Sequence, residues 1–193
     1  QTFINQFSTR GLDFHLGVIT TDLTQGCKLQ TADSERFYTS TTPNLITRFQ
    51  NTVNVGTDGS GEEQGMQATA YALDPTMVGP GGYNEGFLRN DAVLSVVIVS
   101  DEDEDKQTNE SHQAYLDRII NQIKLVKGTE SRGFRFDFVI NLDSTPGQTP
   151  NHYPDGFLPY PEYYRFAAQK FGATPINIKG AFGTDLAYLG GSI

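Results

Sequence analysis

The stretch Leu94 to Asp105, LSVVIVSDEDED, constrains this chain more than any other. Leu94 to Ser100 is a run of apolar, β-branched or small residues, and five consecutive acids, Asp101 to Asp105, follow without a break. A Val/Ile run of this length reads as a strand covered on both faces, the pattern of a parallel sheet clad in helices. The acids then stand at the strand's carboxyl end, where open α/β sheets bind ligands. Crowded carboxylates repel unless a cation joins them, and a hard divalent ion with oxygen ligands is the usual answer. Asp101, the first residue off the strand, is the strongest candidate ligand. Asp103 to Asp105 are expected mainly to form a solvated acidic loop.

The rest of the chain alternates strand and helix signals. Gln1 to Ser8 spaces Phe3, Ile4 and Phe7 as the tail of a helix. Leu12 to Thr21 (LDFHLGVITT) reads as a strand running into Asp22, and Arg36 to Thr39 as a short one. Pro43 to Val53 opens with a helix-starting proline and places Leu45, Ile46, Phe49 and Val53 on one face. A glycine-rich loop, Val55 to Gly65, runs straight into a helix carrying Met66, Ala70 and Leu73. After an irregular Gly/Pro excursion to Asn90 come the strand at 94–100, a helix over Ser111 to Lys127 and a strand over Phe134 to Leu142. Residues 143–159 are again rich in Pro and Gly. A helix over Tyr160 to Phe171, a strand over Thr174 to Ile178 and a helix over Ala181 to Leu189 complete the pattern. Such alternation gives a doubly wound, mostly parallel α/β sheet with helices on both faces. With 193 residues the chain is sized for one domain.

In that arrangement Asp22, Asp101 and Asp143 lie at one edge of the sheet, and the glycine loop opens beside them. Thr57, Asp58, Ser60, Asp101 and Asp103 are thereby gathered at one rim. Hydroxyls and carboxylates suit Mg²⁺, Mn²⁺ or Ca²⁺ rather than zinc. Other motifs fail. The acidic run lacks the glycine and closing glutamate of a calcium loop, since Lys106 and His112 stand there. The glycine loop matches neither the phosphate-binding nor the dinucleotide pattern. The three histidines, His15, His112 and His152, fall in three unrelated segments. Cys27 is the only cysteine, which excludes a disulfide framework.

Charge narrows the partners. With 23 acids against 14 bases the net charge is −9, the wrong sign for a nucleic-acid binder. No apolar run approaches the ~20 residues that span a bilayer. A composition leaning to Asn, Thr, Gln, Gly and Tyr with few Lys is read as extracytoplasmic, periplasmic or cell-surface. Gln1 is not a start methionine and no signal peptide is present, so the chain is expected to be processed, truncated or partly represented.

Together LDFHLGVITTD, VGTDGSGEEQGMQATAYAL, NEGFLRNDAVLSVVIVSDEDED and the closing LAYLGGSI resemble a von Willebrand factor A (vWA) domain of the bacterial surface or periplasmic kind, over almost the whole chain. The resemblance implies one vWA-like domain over 1–193 with a short antiparallel edge strand, and a metal-ion-dependent adhesion site that binds a protein partner through an acidic side chain. Thr57 matches the family threonine and Asp101 the family aspartate, with Asp103 beside them as a third candidate ligand for Mg²⁺, Mn²⁺ or Ca²⁺. The family's Asp-x-Ser-x-Ser motif and the central strand before it have no match here. The domain is therefore expected to be incomplete at its amino end, with an upstream segment or another chain supplying that strand, and the metal is expected to be absent if the set stays incomplete. A metal-independent assembly domain is the alternative. A metal-dependent hydrolase using Asp22 or Asp143 as base ranks last, because no nucleophile or phosphate loop accompanies it, so no enzymatic activity is expected.

Overall fold

The structure is a computed structural model that describes residues 4–5, 10–56, 59–106, 108–127, 133–143 and 161–180. Thr57, Asp58, the expected helix at 181–189, and most of the amino-terminal helix and of the 143–159 loop lie outside the described residues. The chain is mixed α/β. β1 (His15–Leu16) pairs antiparallel with β2 (Tyr38–Thr39), with His15 opposite Thr39. A separate parallel sheet has the order β3 (Leu94–Val99), β4 (Phe134–Ile140), β5 (Ile176–Asn177). Leu94 is opposite Phe134 and Val139 opposite Ile176.

Five helices accompany these strands among the described residues: α1 (Leu45–Val53), α2 (Gly65–Ala72), α3 (Pro75–Val78), α4 (His112–Lys127) and α5 (Glu162–Phe171). Two begin later than their sequence pattern suggests, for local reasons. Asn44 adopts φ 53°, a left-handed conformation that keeps residues 43–44 out of α1. Pro161 caps α5, which ends at Gly172, whose φ of 65° needs no Cβ penalty.

One face of the parallel sheet builds the main core. Leu94 and Ile98 of β3 and Phe136, Phe138 and Ile140 of β4 pack against Met66 and Ala70 of α2, Tyr115, Ile119 and Ile123 of α4, and Tyr164 and Ala167 of α5. A smaller cluster joins Ile4, Tyr38 and Leu45 under the antiparallel pair. No described helix is long and apolar enough to cross a membrane.

Two expectations differ from what is observed. The strand expected over Leu12 to Thr21 is regular only at His15–Leu16, and the rest carries no regular secondary structure. The strand at 94–99 is not covered on both faces along its length. β4 is bonded on both sides and buried from Phe136 to Ile140, whereas β3 is an edge strand among the described residues and Val99 is 50% exposed.

Candidate functional site

The carboxyl rim of β3 is assembled by the residues that precede α2. Gln64 donates its N–H to the Thr21 carbonyl at 3.0 Å, and the Glu63 carbonyl accepts the Asp105 N–H at 2.7 Å. The Ser100 hydroxyl donates to the Glu63 carboxylate. Residues 63–64 thus tie the end of the 12–21 segment to the end of β3. The tie demands glycine at 65, where a Cβ would stand 2.9 Å from Tyr164 Oη, 3.2 Å from Ile98 Cγ2 and 3.4 Å from Thr21 Cγ2.

Each acid on this rim has its own task. The Asp22 carboxylate accepts from the Thr24 N–H at 2.7 Å, the Thr24 hydroxyl at 2.6 Å and the Ser60 N–H at 3.1 Å. The Thr24 hydroxyl and then the Ser60 N–H hold its pKa below the ordinary aspartate value. Asp103 accepts the N–H groups of Tyr163, at 2.8 Å, and Tyr164, at 3.1 Å, and so caps the start of α5 from another segment. Glu104 does the same for α2, accepting from Met66 N–H at 2.9 Å and Gln67 N–H at 3.0 Å. The Tyr115 and Tyr164 hydroxyls each add a 2.8 Å bond to it.

Neither helix has a side-chain cap from its own N-cap residue, Gln64 or Pro161. The two adjacent acids satisfy orphan N–H groups and complement both helix dipoles. Burial nevertheless raises the pKa of both carboxyls, outweighing the donors that favour the charged form. It also raises the hydroxyls of Tyr115, Tyr163 and Tyr164.

Glu104 is only 5% exposed, so the solvated acidic loop expected over Asp103 to Asp105 is instead a structural joint. The sequence does carry its signal. Successive residues of an extended chain face opposite ways, so adjacent acids reach two different helices. What the sequence hides is which helices lack a cap of their own.

Asp101 is different. It is exposed, and among the described residues it has no hydrogen-bond or ion-pair partner. Asp143, at the carboxyl end of β4, is exposed and accepts from Asn177 Nδ2 at 2.8 Å. Of the three candidate ligands, Asp101 and Asp103 lie two residues apart on one loop, and Thr57 lies outside the described residues. No group of three or more His, Cys, Asp or Glu side chains placed to hold a metal occurs among the described residues. Asp103 already receives peptide hydrogen bonds on both oxygens, which leaves fewer lone pairs for an ion.

Two polar anchors escaped the sequence reading. Asn84 Nδ2 donates to the Ala72 carbonyl at 2.8 Å and the Cys27 carbonyl at 3.2 Å, while its Oδ1 accepts the Leu29 N–H at 3.0 Å. Lys127 Nζ donates to the carbonyls of Arg89 and Ala92, each at 2.7 Å, and burial lowers its pKa. These bonds pin the Gly/Pro excursion to the core. Comparison with protein-family models, curated proteins and solved structures finds no match to this chain.

Proposed function

We propose that this chain is a vWA-like protein-binding module of doubly wound architecture, whose contact surface is the acidic rim at the carboxyl end of β3. The observation that carries the reading is the contrast within the acidic run. Asp103 and Glu104 are committed to helix N-termini, whereas Asp101 is exposed and, among the described residues, has no hydrogen-bond or ion-pair partner. A charge left free beside buried neighbours is available to a ligand, and fold integrity does not require it there.

In the metal-dependent form of the reading, Asp101 and the Thr57 hydroxyl hold Mg²⁺, Mn²⁺ or Ca²⁺ with water, and a carboxylate of the protein partner completes the shell. Asp103 steadies the loop that carries Asp101. Titration calorimetry of the chain with Mg²⁺ and with Mn²⁺ tests this form. Saturable heat that disappears in Asp101→Ala is expected, and the absence of binding by the parent chain overturns it.

A metal-independent form is favoured by a separate observation, the engagement of Asp103 by two peptide N–H groups. A single free carboxylate falls well short of the six oxygens that Mg²⁺ prefers. Here the same rim binds a partner through charge and backbone pairing, as an assembly domain does. The reading is one of binding rather than catalysis, and an extracytoplasmic setting follows from composition alone.

A further inference from the structure

The helical period of α4 sends Tyr115, Leu116, Ile119 and Ile123 to the core. The opposite stripe runs through Ala114, Arg118, Asn121 and Leu125, with Asp117 and Lys124 along one flank. Leu125 is 79% exposed, more than any other large apolar side chain among the described residues. One exposed leucine is ordinary on a protein surface. Its setting is more specific, because the same residues line a shallow groove along this face.

Positions 114, 117, 118 and 121 are spaced i, i+3, i+4, i+7, the four corners of the hole that receives a knob in helix–helix packing. Ala114 has no side chain beyond Cβ, so the hole stays open. Arg118 is held at its edge: Nη1 donates to Gln67 Oε1 at 2.7 Å and Nη2 to the Glu110 carboxylate at 3.3 Å. Leu125 lies further along the same helix and cannot enter this hole. It can enter the equivalent hole of a second α4.

Two α4 helices packed antiparallel about a twofold axis near Asn121 satisfy that geometry. The hole is centred between 117 and 118, about as far before Asn121 as Leu125 lies after it. A twofold axis also brings like flanks together. Asp117, four residues before the axis, then faces the partner's Lys124, three residues after it. Neither forms an ion pair among the described residues, and Asp117 accepts a hydrogen bond from Gln113 Nε2 at 2.9 Å.

Net charge favours the same face. Two chains of charge −9 repel each other, yet α4 carries Asp117 alone against Arg118, Lys124 and Lys127.

We infer that the outer face of α4 is an isologous interface on which a second copy of this chain docks antiparallel. Leu125 of each copy enters the hole between Ala114, Asp117, Arg118 and Asn121 of the other, and two Asp117–Lys124 pairs set the register. The stripe shares no residue with the acidic rim, so the inference stands apart from the proposed function. One helix pair covers less than the roughly 1,200 Å² of a standard interface, so the dimer is weak and exchanges with monomer.

Sedimentation velocity over micromolar to millimolar chain, at about 0.15 M salt to screen the net charge, tests it. The parent is expected to shift from monomer to dimer as concentration rises. Leu125→Asp, at an exposed site that the fold does not need, is expected to raise the dissociation constant about tenfold or more. Asp117→Lys and Lys124→Asp are each expected to raise it roughly threefold, and the double swap to restore the parent value. Asn121→Cys is expected to yield an oxidised dimer that Leu125→Asp removes, with the buried Cys27 out of reach. A monomer at every concentration overturns the inference. So does a dimer that ignores Leu125→Asp, or one in which the double swap is no better than either single change.

Discussion

Residues 16–21, LGVITT, and residues 94–99, LSVVIV, are near-equivalent strings, yet they fold differently. The second is a six-residue strand in a ladder with β4. The first is a strand only at its first residue, where β1 ends, and continues as half-buried chain. The difference lies in the neighbour, because β-propensity stabilises a strand only through cross-strand bonds and packing. The parallel half has β4 and three helices on its core face. The antiparallel half has one two-residue partner.

Core truncations are expected to cost more in the parallel half than in the antiparallel half. Phe138→Ala, at a residue 0% exposed in β4, is expected to destabilise by about 3–5 kcal/mol in urea titration. Asn84→Ala, which strips three buried backbone partners, is expected to cost about 1–3 kcal/mol, with faster amide exchange at Leu29. Ile19→Ala, half-buried and without a ladder, is expected to cost about 1 kcal/mol or less. Native-state hydrogen exchange sharpens the same contrast. The amides of Val96 and Ile98 are expected to exchange only on global unfolding, and those of Gly17 and Ile19 by local opening.

The acids also separate by pH. Asp103 and Glu104 are raised by burial, so each stabilises the fold below its unfolded pKa, and that contribution is lost as pH climbs through the raised value. Asp22 is lowered, so its contribution is present above the ordinary aspartate range and is lost as pH falls through the lowered value. The stability of the parent relative to Glu104→Gln is therefore expected to narrow as pH rises above the ordinary glutamate pKa. Relative to Asp22→Asn it is expected to narrow as pH falls below the ordinary aspartate pKa. Denaturation series at stepped pH read both slopes.

Much of the parallel half was legible in the sequence because its signals are local. The six-residue apolar run, the amphipathic spacing of Tyr115, Leu116, Ile119 and Ile123, and Gly172 as a terminator each specify an element on their own. What escaped depends on distant partners. Nothing near Asn84 in sequence reveals that Leu29 and Ala72 converge on it. The acidic run pointed to a charged rim, but its division of labour depended on Gln64 and Pro161 being poor caps for helices 40 and 58 residues away. For the same reason the role of Glu104 could not be read from the sequence.

The division of labour between these neighbouring acids is the feature on which the rest depends. Equilibrium denaturation of Asp101→Ala, Asp103→Ala and Glu104→Ala, measured side by side at neutral pH, tests it most directly. Asp101→Ala is expected to match the parent within about 0.5 kcal/mol, as an exposed side chain should. Asp103→Ala is expected to lose about 1–2 kcal/mol as a missing helix cap, and Glu104→Ala about 3 kcal/mol or more for a buried carboxylate whose four donors are left unpaired. A loss at Asp101 equal to that at Glu104, or none at Glu104, contradicts the account.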